Sequence, residues 1–179
     1  MAKKWMNKEV PEDRSPPQIV KPSSPIATSS LEQLVDFFNV KIQKGDRDVV
    51  YELFNSAGKK PEDFYQSDNK GKIRIENKRV CYINANSIQL NNLPDRIGDL
   101  TALQILDVND NQLTSLPERI GNLSSLQELN VSNNQLTSLP ERIGDLTALQ
   151  KLYVNDNQLN NKTKKICDKL KKKGVNVSY

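Results

Sequence analysis

The sequence contains no histidine among its 179 residues. This absence excludes Ser-His-Asp and Cys-His nucleophile pairs, histidine-ligated zinc and imidazole acid-base catalysis. The phosphate-binding strings GxxxxGK[ST] and GxGxxG are also absent. Carboxylates and lysines occur, but no pair of them has a spacing that differs from that of an ordinary solvated surface. We therefore expect a protein that is not an enzyme and that binds no cofactor and no metal ion.

Long apolar runs and cysteines are scarce as well. No run approaches the roughly 18 to 20 apolar residues that span a bilayer, and the start, MAKKWMNKEVPEDRS, has no apolar segment of the kind found in export signals. Cys81 and Cys167 lie far apart, and we interpret both as structural thiols. These features predict an intracellular, cytoplasmic protein without a membrane span.

What the sequence does contain is a repeat with a constant step of 23 residues. Its clear copies begin at Leu100, Leu123 and Leu146, and they share the pattern L-x-x-L-x-L/V-x-x-N-x-L. A unit of this kind is a short strand plus a return segment, and it buries its apolar side only when a neighbour stacks on it. The pattern predicts an α/β solenoid with a parallel sheet.

The repeated segment LPERIGDLTALQ resembles the intracellular leucine-rich repeat proteins of the Ras-suppressor, plant Ras-group and bacterial types. The resemblance covers roughly half of the chain. It implies that the parallel sheet lines a concave face, and that this face recognises a protein partner rather than performing chemistry.

The 23-residue step also locates the ends of the array. Stepping back from Leu103 and its partners gives a fourth, earlier repeat that starts near Arg79 and has Ile88 where later repeats have asparagine. Stepping forward from Leu152 and Val154 gives a last strand at Val175 and Val177. We therefore predict five parallel strands near residues 81–85, 104–108, 127–131, 150–154 and 174–178.

Residues 1–28 are rich in proline and poor in large apolar groups, which predicts an extended or disordered arm that a partner could order. Residues 29–78 predict a helical N-terminal cap for the array. Its first helix opens with a capping box at Ser30 and Gln33 and ends at Gly45; the second is capped by Asp46 or Asp48 and ends at Gly58. Pro61 opens a further turn, and an alternating stretch follows at residues 72–75. The alternative is that this region is an independent binding element.

Residues 79–161 form the predicted repeats, and residues 162–179 form a basic C-terminal cap, with a helix at Thr163–Lys173, Gly174 as its end and the last strand after it. The lysines of this cap are candidates for contact with phosphate or anionic headgroups. Nucleic acid is the weaker partner because few aromatic side chains are available to stack on bases. The alternative is a solvated, solubilising helix. The candidates are Lys164, Lys165, Lys169, Lys171, Lys172 and Lys173.

The variable residues around each short strand are the candidates for partner contact, because their side chains point away from the core. Tyr82 and Tyr153 are the expected anchors, since tyrosine offers a large contact area at low entropy cost. The alternative for each residue is ordinary solvated surface. The set is Tyr82, Asn84, Asn86, Ile105, Asp107, Asn109, Asp110, Glu128, Asn130, Ser132, Asn133, Lys151, Tyr153, Asn155 and Asp156, with Ser87 beside it.

Taken together, these patterns favour a protein-protein interaction module, an adaptor or scaffold that is monomeric as an isolated domain and binds a protein partner on its concave face. The alternative is an accessory structural subunit of a large assembly, for example a ribonucleoprotein, docked through the N-terminal arm and the basic C-terminal end. Partner identity does not follow from the sequence, because a repeat scaffold is nearly independent of what it binds.

Overall fold

The computed structural model describes residues 42–60 and 73–179, which are organised around one sheet of six strands. In chain order the strands are β1 (Ile73–Glu76), β2 (Arg79–Asn84), β3 (Ile105–Asp107), β4 (Glu128–Asn130), β5 (Lys151–Tyr153) and β6 (Asn176–Ser178). Their spatial order is the same as their sequence order. β1 is antiparallel to β2, and every later pair is parallel.

The five predicted parallel strands are confirmed, but each of the last four is only three residues long. They are short because the chain turns away soon after each strand: Asp110, Asn133 and Asp156 have positive φ values of 53°, 51° and 55°. In each of the strands β3, β4 and β5 the central leucine is fully buried, and the residues on either side of it are more exposed. A short strand with one inward residue is therefore the repeating unit.

Three 3-10 segments return the chain on the far side of the core: η1 (Asp95–Asp99), η2 (Glu118–Asn122) and η3 (Glu141–Asp145). Proline precedes each one at Pro94, Pro117 and Pro140, with φ values of −65°, −68° and −57°. Proline favours this position because its ring fixes φ and its missing N–H would have no partner inside the segment. The isoleucine of each segment is fully buried against the leucines of the strands.

An asparagine ladder joins consecutive repeats. The amide oxygen of Asn134 accepts a hydrogen bond from Leu113 N at 2.9 Å, in the preceding repeat. Its amide nitrogen donates to the backbone oxygens of Val108, Val131 and Ser132 at 3.0 to 3.1 Å. Asn111 and Asn157 make the equivalent contacts. These bonds satisfy backbone groups that the short strands leave unpaired.

The helix α1 (Lys44–Ser56) lies at the N-terminal end of the array and packs near η1. Its apolar face is buried in the common core and consists of Val49, Val50, Leu53 and Phe54. Its predicted start is wrong. The helix begins at Lys44, Gln43 occupies the N-cap without a side-chain bond, and Gly45 lies inside the helix rather than ending an earlier one.

Asp46 has a different role from the predicted cap. Its carboxylate is buried and accepts hydrogen bonds from the Arg79 Nε at 2.9 Å and from Val80 N at 2.8 Å. Asp48 pairs instead with its neighbour Arg47. The Asp46 contacts fix α1 to the first strand of the array. The end of α1 is as predicted, because Gly58 adopts a left-handed φ of 65°.

A hairpin stands where residues 73–78 were assigned to a helical cap. β1 and β2 are joined by Asn77 and Lys78, both with positive φ, which suits a two-residue turn between twisted antiparallel strands. Ile73 and Ile75 pack against the core, and Gln43 N donates to Lys78 O at 2.8 Å. The alternation at residues 72–75 signalled this strand, but its antiparallel pairing with β2 was not predicted.

The C-terminal end carries the helix α2 (Asn161–Lys172), which begins two residues before the predicted Thr163. Asn160 is its N-cap, and its side chain accepts from Thr163 N at 2.9 Å. Thr163 itself is buried, and its hydroxyl accepts from Leu139 N at 3.1 Å. Gly174 ends the helix with a φ of 92°, as predicted. Cys167, Leu170, Val175 and Val177 then close the core.

The predicted arm over residues 1–28, the helix opening at Ser30 and the turn opening at Pro61 lie outside the described residues. The division of the chain into 1–28, 29–78, 79–161 and 162–179 stays a prediction.

Candidate functional site

The concave face is formed by the strand residues that flank each buried central residue, and the strand register aligns them in two rows. Neighbours within a row are about 4.8 Å apart, the spacing of adjacent strands. The first row is Arg74, Tyr82, Ile105, Glu128, Lys151 and Asn176, and the second row is Asn84, Asp107, Asn130, Tyr153 and Ser178.

The first row carries charges that are already paired within it. The Lys151 Nζ lies 3.0 Å from the Glu128 Oε2, and this hydrogen bond raises the pKa of Lys151. At the other end of the row, the Arg74 guanidinium lies 5.1 Å from the centre of the Tyr82 ring, a cation-π distance. Lys151 therefore balances the charge of Glu128 within the row.

The second row consists largely of side chains that hold the backbone. Asn84, Asp107 and Asn130 each accept a hydrogen bond from the backbone N–H two residues later, at 3.1 to 3.2 Å. These are Asx turns, in which a side-chain oxygen replaces a backbone acceptor. Tyr153 occupies the equivalent position in β5 and cannot make this bond. Three predicted contact residues thus have a structural role in addition to their position on the face.

Among the acidic side chains of the concave face, Asp107 has a raised pKa. Burial of its carboxylate raises the pKa of Asp107, and the charges of Glu128 and Asp110 raise it further, although the Asn109 N–H opposes them. Such a carboxylate favours its protonated form more than an exposed aspartate does. Its ionised form therefore reduces the stability of the fold.

Ser132 does not belong to the accessible contact set. Its side chain is buried, with 6% of the residue exposed, and its hydroxyl donates to the Asn155 Oδ1 at 2.9 Å. Ser132 was predicted to face a partner, but it presents little surface for contact because its hydroxyl is hydrogen-bonded to the next repeat. Asn86, Asn109 and Asn155, at the same position in other repeats, are half-buried.

The next position is occupied by exposed residues in left-handed backbone: Ser87, Asp110, Asn133 and Asp156. Short polar side chains, aspartate and asparagine above all, tolerate this conformation better than other residues with a Cβ. Asp110 also accepts from the Asn109 amide at 3.1 Å, and Asp156 from the Asn155 amide at 2.8 Å. The recurrence of these residue types follows from the turn geometry.

The first row differs from all of these positions because its residue type changes at every strand. Between β2 and β5 it reads Tyr82, Ile105, Glu128, Lys151. No backbone hydrogen bond of the described residues uses these side chains, so the fold does not dictate them. Together with Tyr153, they are the part of the concave face that local structure leaves unexplained.

The sequence pattern of the family described as leucine-rich repeat region matches residues 77–172, which is more than half of the chain. The chain belongs to the leucine-rich repeat family. A comparison with curated proteins finds no match.

Leucine-rich repeat proteins are also among the similar solved structures. The ectodomain of the receptor kinase SOBIR1 from Arabidopsis thaliana is 21% identical, with a TM-score of 0.54, over 66% of this chain and 70% of its own. A leucine-rich repeat protein of Leptospira interrogans is 33% identical, with a TM-score of 0.48, over 55% of this chain. This chain spans only 24% of the Leptospira protein's length. The BIR3–SERK2 complex from Arabidopsis thaliana gives 18% identity and a TM-score of 0.46, over 65% of this chain and 84% of that one.

Three residues of the leucine-rich repeat face were missed by sequence reasoning: Arg74, Asn176 and Ser178. Asn176 and Ser178 follow from the predicted last strand, because residues that alternate with Val175 and Val177 must point outward. Arg74 required knowledge of the β1–β2 pairing, which places it opposite Tyr82. The short turn at Asn77 and Lys78 was the available signal for that hairpin.

The predicted lysines do not share one surface. Lys164 lies beside Asn155 and Tyr179, whereas Lys165, Lys169 and Lys173 line a groove between α2 and η3. Lys171 stacks on the Tyr179 ring at 4.0 Å, and Lys172 is exposed elsewhere on the helix. The structure therefore separates the basic end into distinct sides of one helix.

Within residues 42–60 and 73–179, no group of three or more acidic or cysteine side chains is arranged to hold a metal ion. In the same two ranges, no helix has the length and apolar character needed to cross a membrane.

Proposed function

We propose that this chain is a non-catalytic adaptor or scaffold module that binds a protein partner on its concave face. Leucine-rich repeats commonly serve as protein-interaction modules. The observation that carries the proposal is the first row of the concave face, where residue type changes at each strand although the scaffold repeats around it. Ile105 between Tyr82 and Glu128 adds apolar contact area, and Tyr153 offers a second aromatic anchor.

A triple alanine variant at Glu128, Lys151 and Tyr153 tests this proposal. Glu128 and Lys151 are removed together because they pair with each other, so no charge is left without its partner. Asp107 is kept, since its carboxylate closes a turn. The wild-type chain should capture partner proteins from native lysate, and the triple variant should capture at least about tenfold less of them. The circular dichroism spectrum of the variant should be unchanged.

The matched control replaces an exposed charge cluster away from the concave face, Asp99 with its two partners Arg96 and Arg119, by alanine. This triple variant should retain every captured protein. If the concave triple variant captures the same proteins in the same amounts as the control, the concave face is not the binding surface.

The second candidate is an accessory subunit of a large assembly. The favouring observation is that Lys165 and Lys169, on the groove side of α2, have no ion-pair partner among the described residues. Charge reversal at Lys165 and Lys169 should then abolish capture while the concave variant retains it. Affinity in that case should also fall steeply as salt rises from about 50 to 200 mM. The concave proposal expects little change from the lysine variant.

An intracellular, cytoplasmic setting and a monomeric isolated domain are part of the same proposal. Cys81 and Cys167 are free, buried thiols, which suits a reducing compartment. Burial raises the pKa of both thiols, so neither is activated as a nucleophile. Analytical ultracentrifugation of the purified chain tests whether it is a monomer. Fluorescence microscopy of a tagged chain in its native cells tests its location.

A further inference from the structure

A groove of about 440 Å³ runs between α2 and η3, on the opposite side of the last repeat from the concave face. It exists because the stacking of repeats ends here. A Cβ placed on Gly121 of η2 would meet the backbone of Arg142 in the next repeat, whereas one placed on Gly144 of η3 meets nothing within 4 Å. Beyond η3 the place of a further return segment is taken by α2, which packs less closely.

Lysines dominate one wall of this groove. Lys162, Lys165, Lys169 and Lys173 lie along one side of α2, with Glu141 and Asp145 of η3 opposite. The two carboxylates already have cationic partners: Lys162 lies 2.7 Å from Glu141, and Arg142 lies 3.4 Å from Asp145.

Three ammonium groups remain without a carboxylate partner among the described residues. Lys173 donates to the Gly144 carbonyl at 3.1 Å, while no ion pair or side-chain hydrogen bond within the described ranges uses Lys165 or Lys169. Lys162, and to a smaller extent the charge of Lys169, lower the pKa of Glu141 across the groove. The groove therefore carries an excess of positive charge above a floor formed by Ile166 and Leu170.

We propose that this groove binds an extended acidic peptide segment of a protein partner, with carboxylates at alternate positions. Lys165 and Lys169 of α2 and Lys173 at its C-cap follow one another at every fourth residue, so their Cα atoms rise by about 6 Å per step. Alternate residues of an extended peptide are about 6.6 Å apart, on the same face of the strand. A Glu-x-Glu-x-Glu segment thus matches the lysine spacing.

The η3 wall favours a peptide over a nucleic acid. A peptide backbone brings N–H groups that can donate to Glu141, Asp145 and the Gly144 carbonyl, whereas a phosphodiester backbone brings only further acceptors and negative charge. Among the described residues that line the groove, none is aromatic or arginine, so bases would find no side chain to stack on.

The test is an NMR titration of the full ¹⁵N-labelled chain with the capped peptide Ac-EAEAE-NH2, at about 100 mM salt. Amide shifts should cluster at Gly144, Ile166 and Lys169. The double variant Lys165→Glu and Lys169→Glu should weaken binding by at least about tenfold. The uncharged peptide Ac-QAQAQ-NH2 should give no saturable shifts.

The matched control is Lys164→Glu with Lys172→Glu, which changes the net charge of the same helix by the same amount but leaves the groove intact. It should weaken binding by less than about threefold. Equal losses in the two double variants would overturn the proposal, because the attraction would then be diffuse. The proposal would also be overturned if a twelve-nucleotide thymidine strand bound more tightly than the peptide and its binding were abolished in the groove variant. Circular dichroism confirms folding of both variants.

Discussion

At the scale of single residues, substitutions at buried ladder asparagines and at exposed amide side chains should differ in their effect on stability. We expect Asn134→Ala to lower the free energy of unfolding by about 1 to 3 kcal/mol, because it leaves Leu113 N and several buried carbonyls without partners. Gln127→Ala, at an exposed position, should change it by less than about 0.5 kcal/mol. Urea unfolding of both variants measures the difference, and equal shifts would contradict the ladder.

Asn130 lies between these two cases. From its position on the concave face alone, alanine at this residue should change the free energy of unfolding by less than about 0.5 kcal/mol. Its side chain, however, accepts a hydrogen bond from Ser132 N at 3.2 Å. The loss should accordingly be about 0.5 to 1.5 kcal/mol, and Asn130→Asp, which keeps the acceptor, should restore most of it.

The raised pKa of Asp107 predicts that the stability of the fold depends on pH. Because its pKa is raised on folding, the unfolded chain releases this proton at lower pH than the folded one. Stability is therefore lost as the pH rises from the ordinary aspartate pKa through the raised pKa, and it stays lower above it. Asp107→Asn keeps the acceptor for Asn109 N and removes the charge, so it should raise the melting temperature at about pH 7.

The same comparison at about pH 3 gives the control, since Asp107 is then protonated in both states and the gain should largely vanish. A gain of equal size at both pH values would show that the effect is not electrostatic. Asparagine already occupies this position in β2 and β4, at Asn84 and Asn130, so the fold accommodates it.

At the scale of elements, the glycines of the 3-10 segments provide a test within one sequence pattern. A Cβ on Gly98 would overlap the carbonyl of Arg119, and one on Gly121 would lie 2.6 Å from the carbonyl of Arg142. We expect Gly98→Ala and Gly121→Ala each to destabilise the chain by about 1 to 3 kcal/mol, because two neighbouring segments must move apart.

Gly144→Ala is the matched control, since its Cβ would meet nothing within 4 Å and its φ is not in the left-handed region. It should be neutral, or should stabilise by up to about 1 kcal/mol through the reduced entropy of the unfolded chain. Chemical unfolding of the three variants measures this order. A cost at Gly144 equal to that at Gly121 would mean that the close approach of repeats is not the cause.

At the scale of the whole molecule, a solenoid is stabilised mainly by contacts between neighbouring repeats, so its ends are its weak points. Deleting residues 1–78 removes α1 and β1 and should uncover Val80, Ile83 and Ile88, which are buried in the intact chain. We expect aggregation or a clearly lower melting temperature, measured by light scattering and circular dichroism. A monomeric, equally stable product would show that α1 and β1 do not protect this end.

Deleting only residues 1–28 is the control. The proline-rich composition of this segment predicts that the melting temperature stays nearly unchanged. A large loss of stability on this shorter deletion would contradict the prediction of an extended arm.

The repeat array could be predicted from the sequence because the spacing of its apolar residues determines which side chains face the core. Leu106, Leu129 and Leu152 recur at the 23-residue step and pair in register in the parallel sheet. Asn111, Asn134 and Asn157 recur at the same step, and their amides join consecutive repeats. Gly58 and Gly174 were equally readable, since left-handed backbone after a helix favours glycine.

What the tertiary structure decided lies at the ends of the array and in the roles of polar side chains. Aspartate is a typical N-cap residue, and Asp46 was predicted to be one. It is instead buried and accepts hydrogen bonds from Arg79 and Val80. These residues are more than thirty positions away in the chain, so no local sequence pattern indicates the contact. Ser132 became buried through a bond to the next repeat, and Arg74 joined the concave face through a hairpin. Local spacing determines which residues repeat and face inward, because periodicity sets side-chain direction. Distant pairing determines which polar groups are left for a partner, because most buried donors and acceptors bond to groups that only the folded chain brings to them.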